Sequence, residues 1–404
     1  MCVLAEEPPI CLNLQEQPYP HFIKYMGSKS KIMGFVLEGI NEVYRGGEIC
    51  DLFAGSASLA GAIGHQAPIH SNDIQTYSSI LAQTYLDAYR YQGMPSSTDI
   101  LLAAEQIVSA NTAELGIKID YQSITSLSDF NELELKQQGL IRRSFSRDWH
   151  LFVKYYSGTW WTAEQCLWID AIREVAEQYK NEPCYPLVIS TLMYAMAYTS
   201  QGTGHYAQYR DAKTESSMKD ISIYRRRSLP DYFRRKFDAV CSVLGNEPSK
   251  FSHKTTTLDY HDCLRHFSGG TVYADPPYCF VHYSRFYHAI ETLVLYDYPT
   301  IQSKGGKVVK GRYRDERHQS PFCIKTQVKQ AFADLFAGVW ETDSNLALSY
   351  SNTGMISIEE IHELAKVYFP GRKVELLLTD HQHMTLGRQF DRHRNVEECL
   401  FLVS

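Results

Sequence analysis

The segment Ile49-Cys50-Asp51-Leu52-Phe53-Ala54-Gly55-Ser56-Ala57-Ser58 decides the fold. Ile49 to Phe53 is an apolar run too short for a helix, and it ends in three small residues, Ala54-Gly55-Ser56. A short buried strand that runs through small residues into a helix, here roughly Ala57 to Ile63, is the opening half of a βαβ unit. A second short strand ends near Asn72-Asp73, and a helix carrying Ile80, Leu81 and Tyr85 follows it. Upstream, Ile32, Val36, Ile40 and Val43 recur at helical spacing between Ser30 and Tyr44. Ser28 or Ser30 is available as the N-cap, and Gly46-Gly47 stops that helix.

Further along, strand signals return at Thr271 to Ala274, Leu346 to Tyr350, Val374 to Leu378 and Cys399 to Val403. Helical patterns lie between them, at Thr326 to Phe336 and Ile358 to Val367. This alternation predicts an α/β fold with an open, mostly parallel sheet covered by helices on both faces. Residues 91–255 differ: they are rich in Gln, Ser, Tyr and Arg, without strand–helix alternation, and read as an inserted, mainly helical region. The expected organisation is a loose arm over 1–20, a sheet-bearing domain over 21–90 and 256–404, and the insert over 91–255.

The chemistry sits in Asp275-Pro276-Pro277-Tyr278, directly after the strand Thr271 to Ala274. Ligands of open α/β sheets bind beyond the carboxyl ends of the strands. Two prolines there stiffen the backbone and remove two N–H donors, leaving carbonyls outward. Asp275 then offers a carboxylate, Pro276 a carbonyl and Tyr278 an aromatic face. A rigid turn would share this sequence, but the set also suits one task. An exocyclic base amine is a poor nucleophile because its lone pair is delocalised. Two acceptors on its two protons free that lone pair, and an aromatic ring can stack on a base taken out of the duplex.

Asp51 to Ser58 reads as a loop that lets the backbone approach a nucleoside cofactor, and Asp73, at the end of the next strand, as an acceptor for ribose hydroxyls. A dinucleotide site would look alike; the tetrapeptide separates the two. Lys24-Tyr25-Met26-Gly27-Ser28-Lys29 opens a helix and could hold a carboxylate there, or be a solvated basic turn.

The order Lys24–Lys29, Asp51–Ser58, long insert, Asp275–Tyr278 resembles the Dam-like, alpha-type N6-adenine DNA methyltransferases. The resemblance covers the flanking parts of the chain well and the middle loosely. It implies a Rossmann-like methyltransferase sheet, S-adenosylmethionine as cofactor, and an insert that serves as target recognition domain. Tyr25, Gly27 and Lys29 would meet the cofactor, with Asp51, Phe53, Ala54, Gly55 and Ser56 lining its loop. Asp73 would bind the ribose, and Asp259-Tyr260 would lie beside the cofactor's adenine. Asp275, Pro276, Pro277 and Tyr278 would meet the target base, with Asp275 also at the cofactor. Where the family often has glycine, this chain has Ala57, which should crowd the loop without abolishing binding.

Candidate DNA contacts are Arg225-Arg226-Arg227 in the insert and Lys310, Arg312, Arg314 and Arg317 in a glycine-bearing basic stretch after the tetrapeptide. Gly202-Thr203-Gly204-His205-Tyr206 and Arg234-Arg235-Lys236 mix aromatic, basic and glycine residues in a way that suits groove and phosphate contacts. The net charge of -6 neither marks nor excludes a nucleic-acid binder. Ten scattered cysteines without a CxxC pair read as reduced thiols of a cytoplasmic protein with no metal, and His381 and His383 lack a third ligand of suitable spacing. Nothing at the N-terminus resembles a signal peptide, and no run is long enough to span a membrane.

Three other readings carry less of the sequence. An RNA amine methyltransferase sits poorly with the N-terminal lysine motif and the insert. A nicotinamide oxidoreductase leaves the tetrapeptide unexplained, and a non-catalytic methylase scaffold leaves Asp275 and Tyr278 idle. Carbon methylation of cytosine needs a Pro-Cys nucleophile, and Cys279 follows Tyr278 instead. Double-stranded DNA is thus the expected partner of a monomeric enzyme, and any cognate restriction endonuclease is expected on a separate chain.

Overall fold

The computed structural model describes residues 11–14, 19–202, 204–278, 280, 282–384 and 393–404, without the side chains of 379–384 and 393–397. Thr203, Cys279, the side chains of His381 and His383, and residues 1–10 and 15–18 of the expected arm lie outside the described residues. The strands are β1 (Ile49–Asp51), β2 (Ile69–Asn72), β3 (Lys254–Thr256), β4 (Thr271–Ala274), β5 (Ser303–Lys304), β6 (Lys307–Val308), β7 (Asn345–Ser351), β8 (Val374–Met384) and β9 (His393–Val403). The helices before β3 are α1 (Met33–Val43), α2 (Ser58–Ile63), α3 (Thr76–Leu86), α4 (Ser97–Leu115), α5 (Leu127–Gln138), α6 (Leu151–Tyr156), α7 (Ala163–Glu177), α8 (Tyr185–Thr199), α9 (Glu215–Arg225) and α10 (Leu229–Cys241). Those after it are α11 (Tyr260–Arg265), α12 (Tyr283–Phe286), α13 (His288–Leu295), α14 (Val328–Glu341) and α15 (Ile358–Tyr368).

Seven strands form one sheet in the order β3-β2-β1-β4-β7-β9-β8, and β5 and β6 form a separate hairpin. The first five run parallel, while β9 is antiparallel to both its neighbours. The mostly parallel sheet expected from the sequence is therefore present. Its strands alternate strictly between two apolar layers, as a two-residue period requires. Ile49, Tyr273, Ala347, Leu400 and Leu402 enter the layer with α1, α2, α3 and α13. Cys50, Val272, Ala274, Leu346, Leu348, Cys399 and Phe401 enter the other, with α11, α14 and α15. Both faces of the central strands are covered, so β1 and β4 are buried along their whole length.

Between α3 and β3 the described chain is helical, and α4, α6, α7, α8 and α10 share the first apolar layer with α1 to α3. Several element ends differ from the sequence reading. The first helix begins at Met33, after a 3-10 turn at Lys29–Lys31 whose N-cap Ser28 accepts from the Ser30 N–H. α14 runs five residues past the expected Phe336, to Glu341, because Val339 keeps the apolar spacing going. β1 stops at Asp51, short of the expected Phe53. The described part of the N-terminal arm is docked rather than loose. Leu12 is buried and exchanges two hydrogen bonds with Asn41, at 2.9 Å each, while Asn13 does the same with Gln66.

Candidate active site

The strand order reverses between β1 and β4, which makes a crevice beyond their carboxyl ends. A cavity partly open to solvent lies there. Its walls include every residue the sequence reading placed at cofactor or base: Tyr25, Gly27, Lys29, Asp51, Phe53 to Ser56, Asp73, Asp259, Tyr260 and Asp275 to Tyr278. Four carboxylates sit at or just past the ends of four adjacent parallel strands, Asp51 on β1, Asp73 after β2, Asp259 after β3 and Asp275 after β4.

Asn72 holds three of these loops together. Its Nδ2 donates to the carbonyls of Leu52, at 3.2 Å, and Leu258, at 3.1 Å. Its Oδ1 accepts from the Leu258 N–H at 3.1 Å and the Thr256 hydroxyl at 2.8 Å. Asp73 accepts from the Gly55 N–H at 2.9 Å and the Gln75 N–H at 2.8 Å. Burial by the cavity walls raises its carboxyl to about 6, against those two hydrogen bonds. Burial also raises Asp51, with the Asp275 and Asp73 charges adding to it. Asp51 Oδ1 is buried and has no protein hydrogen-bond partner. That oxygen fits a ligand that brings a donor or a positive charge.

The glycine loop is tight. Gly55 has φ +54°, and a Cβ there would lie 2.8 Å from the Tyr25 hydroxyl. Tyr25 is in turn stacked on Tyr287, with centroids 4.8 Å apart, and beside Tyr283 at 5.8 Å. Ala57 adopts φ 54°, ψ 34°, a left-handed conformation that L-residues other than glycine, asparagine and aspartate rarely take. This explains why a glycine suits the position, and it locates the crowding expected of Ala57 in the backbone. On the opposite wall Phe53, Tyr260 and Phe322 meet edge or tilt, with centroids 5.3–5.8 Å apart.

At the tetrapeptide, Lys29 is almost fully buried, with Nζ 3.2 Å from Asp275 Oδ1 and 3.1 Å from Glu398 Oε2. Burial alone would lower the ammonium's pKa; Asp275 and Glu398 outweigh it and raise the value, so Lys29 stays charged. The Tyr278 hydroxyl donates to Glu398 Oε1 at 3.0 Å, and Lys29 Nζ lies 5.1 Å from the Tyr278 ring centroid. Lys29 thus lines the cavity as expected, but its charge is engaged with two protein carboxylates rather than held open for a cofactor carboxylate. Glu398, on β9, and Asn72 escaped the sequence reading, since no local pattern marks either.

The candidate DNA contacts divide. Arg225 is a correction: its side chain is 0% exposed and pairs with Glu134, at 2.9 and 2.7 Å, inside the helical region. Arg312 is a second: it is buried, with φ +56°. Arg226 donates to the Tyr121 carbonyl, Lys310 pairs with Asp211 at 2.7 Å and Arg314 grips Asp297 with two hydrogen bonds. Arg317 lies 5.7 Å from the Tyr313 ring centroid and donates to Gln302. Gly204, His205 and Tyr206 are buried, with the Tyr206 N–H donating to the Phe286 carbonyl.

Arg227 belongs to a different arrangement. Lys24, Arg227, Arg235 and Lys236 lie 4.2, 4.4, 4.7 and 4.9 Å from the ring centroids of Tyr198, Tyr224, Tyr232 and Tyr194. Tyr198 stacks on Tyr194, at 4.4 Å, and on Tyr232, at 5.7 Å. None of the four cations forms an ion pair among the described residues. Burial, then Arg227, lowers the Lys24 ammonium, and burial lowers Lys236 to about 8.

Sequence spacing gave no metal ligands, yet Cys50, His70 and Cys263 meet beneath the sheet. The thiols are 3.9 Å apart, and His70 Nε2 is 3.9 Å from Cys263 Sγ. That nitrogen is 2.8 Å from the Thr256 hydroxyl, whose own proton goes to Asn72. His70 Nε2 is therefore the donor in this pair, and the three side chains form a buried hydrogen-bonded cluster.

A family model described as D12 class N6 adenine-specific DNA methyltransferase matches residues 25–363. The chain is 21% identical over 354 residues to the modification methylase LlaI of Lactococcus lactis subsp. lactis. It is 24% identical over 351 residues to the type II methyltransferase M.FokI of Planomicrobium okeanokoites. Both alignments take in 85% of this chain but only 48% and 47% of those proteins, so the chain spans about half the length of these relatives. With the type II methyltransferase M.NlaIII of Neisseria lactamica the identity is 22% over 386 residues, covering 92% of this chain and 95% of that protein.

Proposed function

Because this chain belongs to the D12 class N6 adenine-specific DNA methyltransferase family, we propose that it methylates the N6 amine of adenine in duplex DNA, with S-adenosylmethionine as donor. The observation that carries this reading is the position of Asp275–Tyr278 at the strand-order reversal, in one cavity with the strand-end carboxylates Asp51 and Asp73. The names of its relatives support a place in restriction–modification or phage defence. We read it as a monomeric cytoplasmic enzyme whose cognate endonuclease, if paired, is a separate chain. No helix among the described residues is long and apolar enough to cross a membrane.

Asp275 and the Pro276 carbonyl accept the two amine protons of an extruded adenine, and Tyr278 stacks on its ring, a contact worth roughly 1–3 kcal/mol. The nitrogen lone pair is then free to attack. As the N–C bond forms, positive charge grows on nitrogen; Asp275 stabilises it and takes up the departing proton. The cofactor supplies an activated methyl group on a sulfonium. Asp73 suits the ribose hydroxyls, Phe53 and Tyr260 the adenine ring, and Asp51 the cationic amino-acid end.

The insert, over 91–255, is read as the target recognition domain. The cation–tyrosine ladder through Lys24, Arg227, Arg235 and Lys236 suits a phosphate backbone, being basic, rigid and unpaired. The test is to incubate the protein with labelled S-adenosylmethionine and mixed-sequence duplex DNA, then identify the modified nucleoside. Wild type should give N6-methyladenine and Asp275→Ala none. Label in RNA alone, or in neither, would overturn the proposal.

A further inference from the structure

We infer that Glu398 is a positioning residue that sets both the basicity of Asp275 and the orientation of Tyr278. Its carboxylate is fully buried and bridges two partners, accepting from Lys29 Nζ at 3.1 Å and from the Tyr278 hydroxyl at 3.0 Å. Lys29 Nζ lies as close to Asp275, at 3.2 Å. One ammonium is therefore shared between two carboxylates, and one negative charge is left over in the pair.

The sharing has a chemical consequence. With Glu398 neutral, Lys29 would turn its whole charge on Asp275. The carboxylate would become a weaker acceptor for the amine protons and for the growing charge on nitrogen. With Glu398 ionised, part of that attraction is diverted and Asp275 keeps its basicity. Asp51 and the Tyr273 phenol also face Asp275, and Tyr273 acts on Lys29 as well, but it is Glu398 that takes a hydrogen bond from the ammonium. The same carboxylate holds the Tyr278 hydroxyl and so fixes the ring plane against which a base would stack. Strand order makes the juxtaposition: β9 enters the sheet antiparallel next to β7, and Glu398 pairs in register with Ser351.

The role rests on the methyltransferase reading for its meaning but can be measured without it. Glu398→Gln keeps volume and an acceptor for Tyr278 while removing the charge. In the full-length protein with labelled aspartate carboxyls, the Asp275 resonance, assigned with Asp275→Asn, should titrate about one unit lower in Glu398→Gln than in wild type. In methyl transfer from S-adenosylmethionine to adenine-unmethylated genomic DNA, kcat should fall about tenfold to a hundredfold, the range for loss of a hydrogen-bonded charge, with KM for DNA within about twofold. Adding Lys29→Gln should recover part of that loss, since Asp275 is then relieved of the unshared ammonium. An unmoved Asp275 titration overturns the inference whether or not the protein methylates. A Glu398→Gln with wild-type kcat and only a lowered Tm would also overturn it, as a purely structural role. Absent methylation with a shifted titration would sink the functional reading and leave this charge coupling standing.

Discussion

Replacing Arg225 with alanine should unfold the insert before it weakens DNA binding. The Arg225 guanidinium holds Glu134 through two hydrogen bonds, at 2.9 and 2.7 Å, and gives a third to the Thr159 carbonyl at 2.6 Å. Both side chains are shielded, at 0% and 7% exposure. Tyr121 donates to the same Glu134, and Gln137 links Tyr121 to the Ala163 N–H, so the pair ties α5, α7 and α9 together. Removing the arginine leaves a buried carboxylate with one phenolic donor, a loss of about 3–5 kcal/mol. With an unfolding entropy near 2 cal/mol/K per residue, 1 kcal/mol is worth roughly 1.2 °C in a chain of 404 residues, so Tm should drop about 4–6 °C. Thermal denaturation by circular dichroism reads this directly. Arg225→Met combined with Glu134→Leu should recover most of the loss, because apolar replacement removes the stranded charge. The reasoning fails if Arg225→Ala keeps its Tm and instead weakens DNA binding with a flatter salt dependence, which would mean that the guanidinium reaches phosphate.

Arg235→Ala, at the exposed member of the ladder, should do the reverse: Tm within about 1 °C and a log–log salt slope of DNA binding reduced by about 0.9 if one phosphate contact is lost; an unchanged slope would remove the ladder from the interface. Ala57→Gly should raise stability by about 1 kcal/mol, since glycine takes φ 54° without the Cβ penalty, and a lower Tm would mean that the left-handed turn is not the strained element. Asp73 sits at about 6, above the ordinary carboxylate value, so the folded protein holds a proton between roughly pH 4 and 6 that the unfolded chain has released. A ligand that donates to the ionised carboxylate must expel that proton. Affinity for S-adenosylmethionine should therefore fall as pH drops below about 6, with proton release on binding seen by calorimetry in buffers of different ionisation enthalpy. A flat affinity from pH 5 to 7 would contradict this.

The parts legible in the sequence were those with local causes. The β1 loop, the β4 strand and the Pro-Pro turn each announce themselves within ten residues, and the sheet brings them together because parallel strands place their carboxyl ends on one edge. Charge was read less well. Arg225 looks like its exposed neighbours in sequence, and only the packing of α5 against α9 shows that a glutamate ninety-one residues earlier claims it. Arg312 fails for the same reason, because a basic residue in a glycine-bearing stretch gives no sign that the chain will turn it inward. The Cys50–His70–Cys263 cluster has no local signature either, since spacing cannot find side chains joined only by neighbouring strands and a helix.

The charge balance of the cavity bears on how donor and product are told apart. Lys29 is shared by Asp275 and Glu398, Asp51 and Asp73 line the same cavity, and burial raises the carboxyls of these last two. Ionising them all without a counter-charge is unfavourable where the groups are buried. A ligand bearing a sulfonium would supply that counter-charge and stabilise the ionised forms of Asp51 and Asp73. The demethylated product, a neutral thioether, would lose one positive charge at the moment of transfer, and the carboxylates would again favour protonation. The same groups that recruit the donor would thereby weaken their hold on the product. Since product differs from donor by one charge, its affinity should depend less steeply on pH than the donor's, and matched curves for the two from pH 5 to 8 would remove the carboxylates from this role.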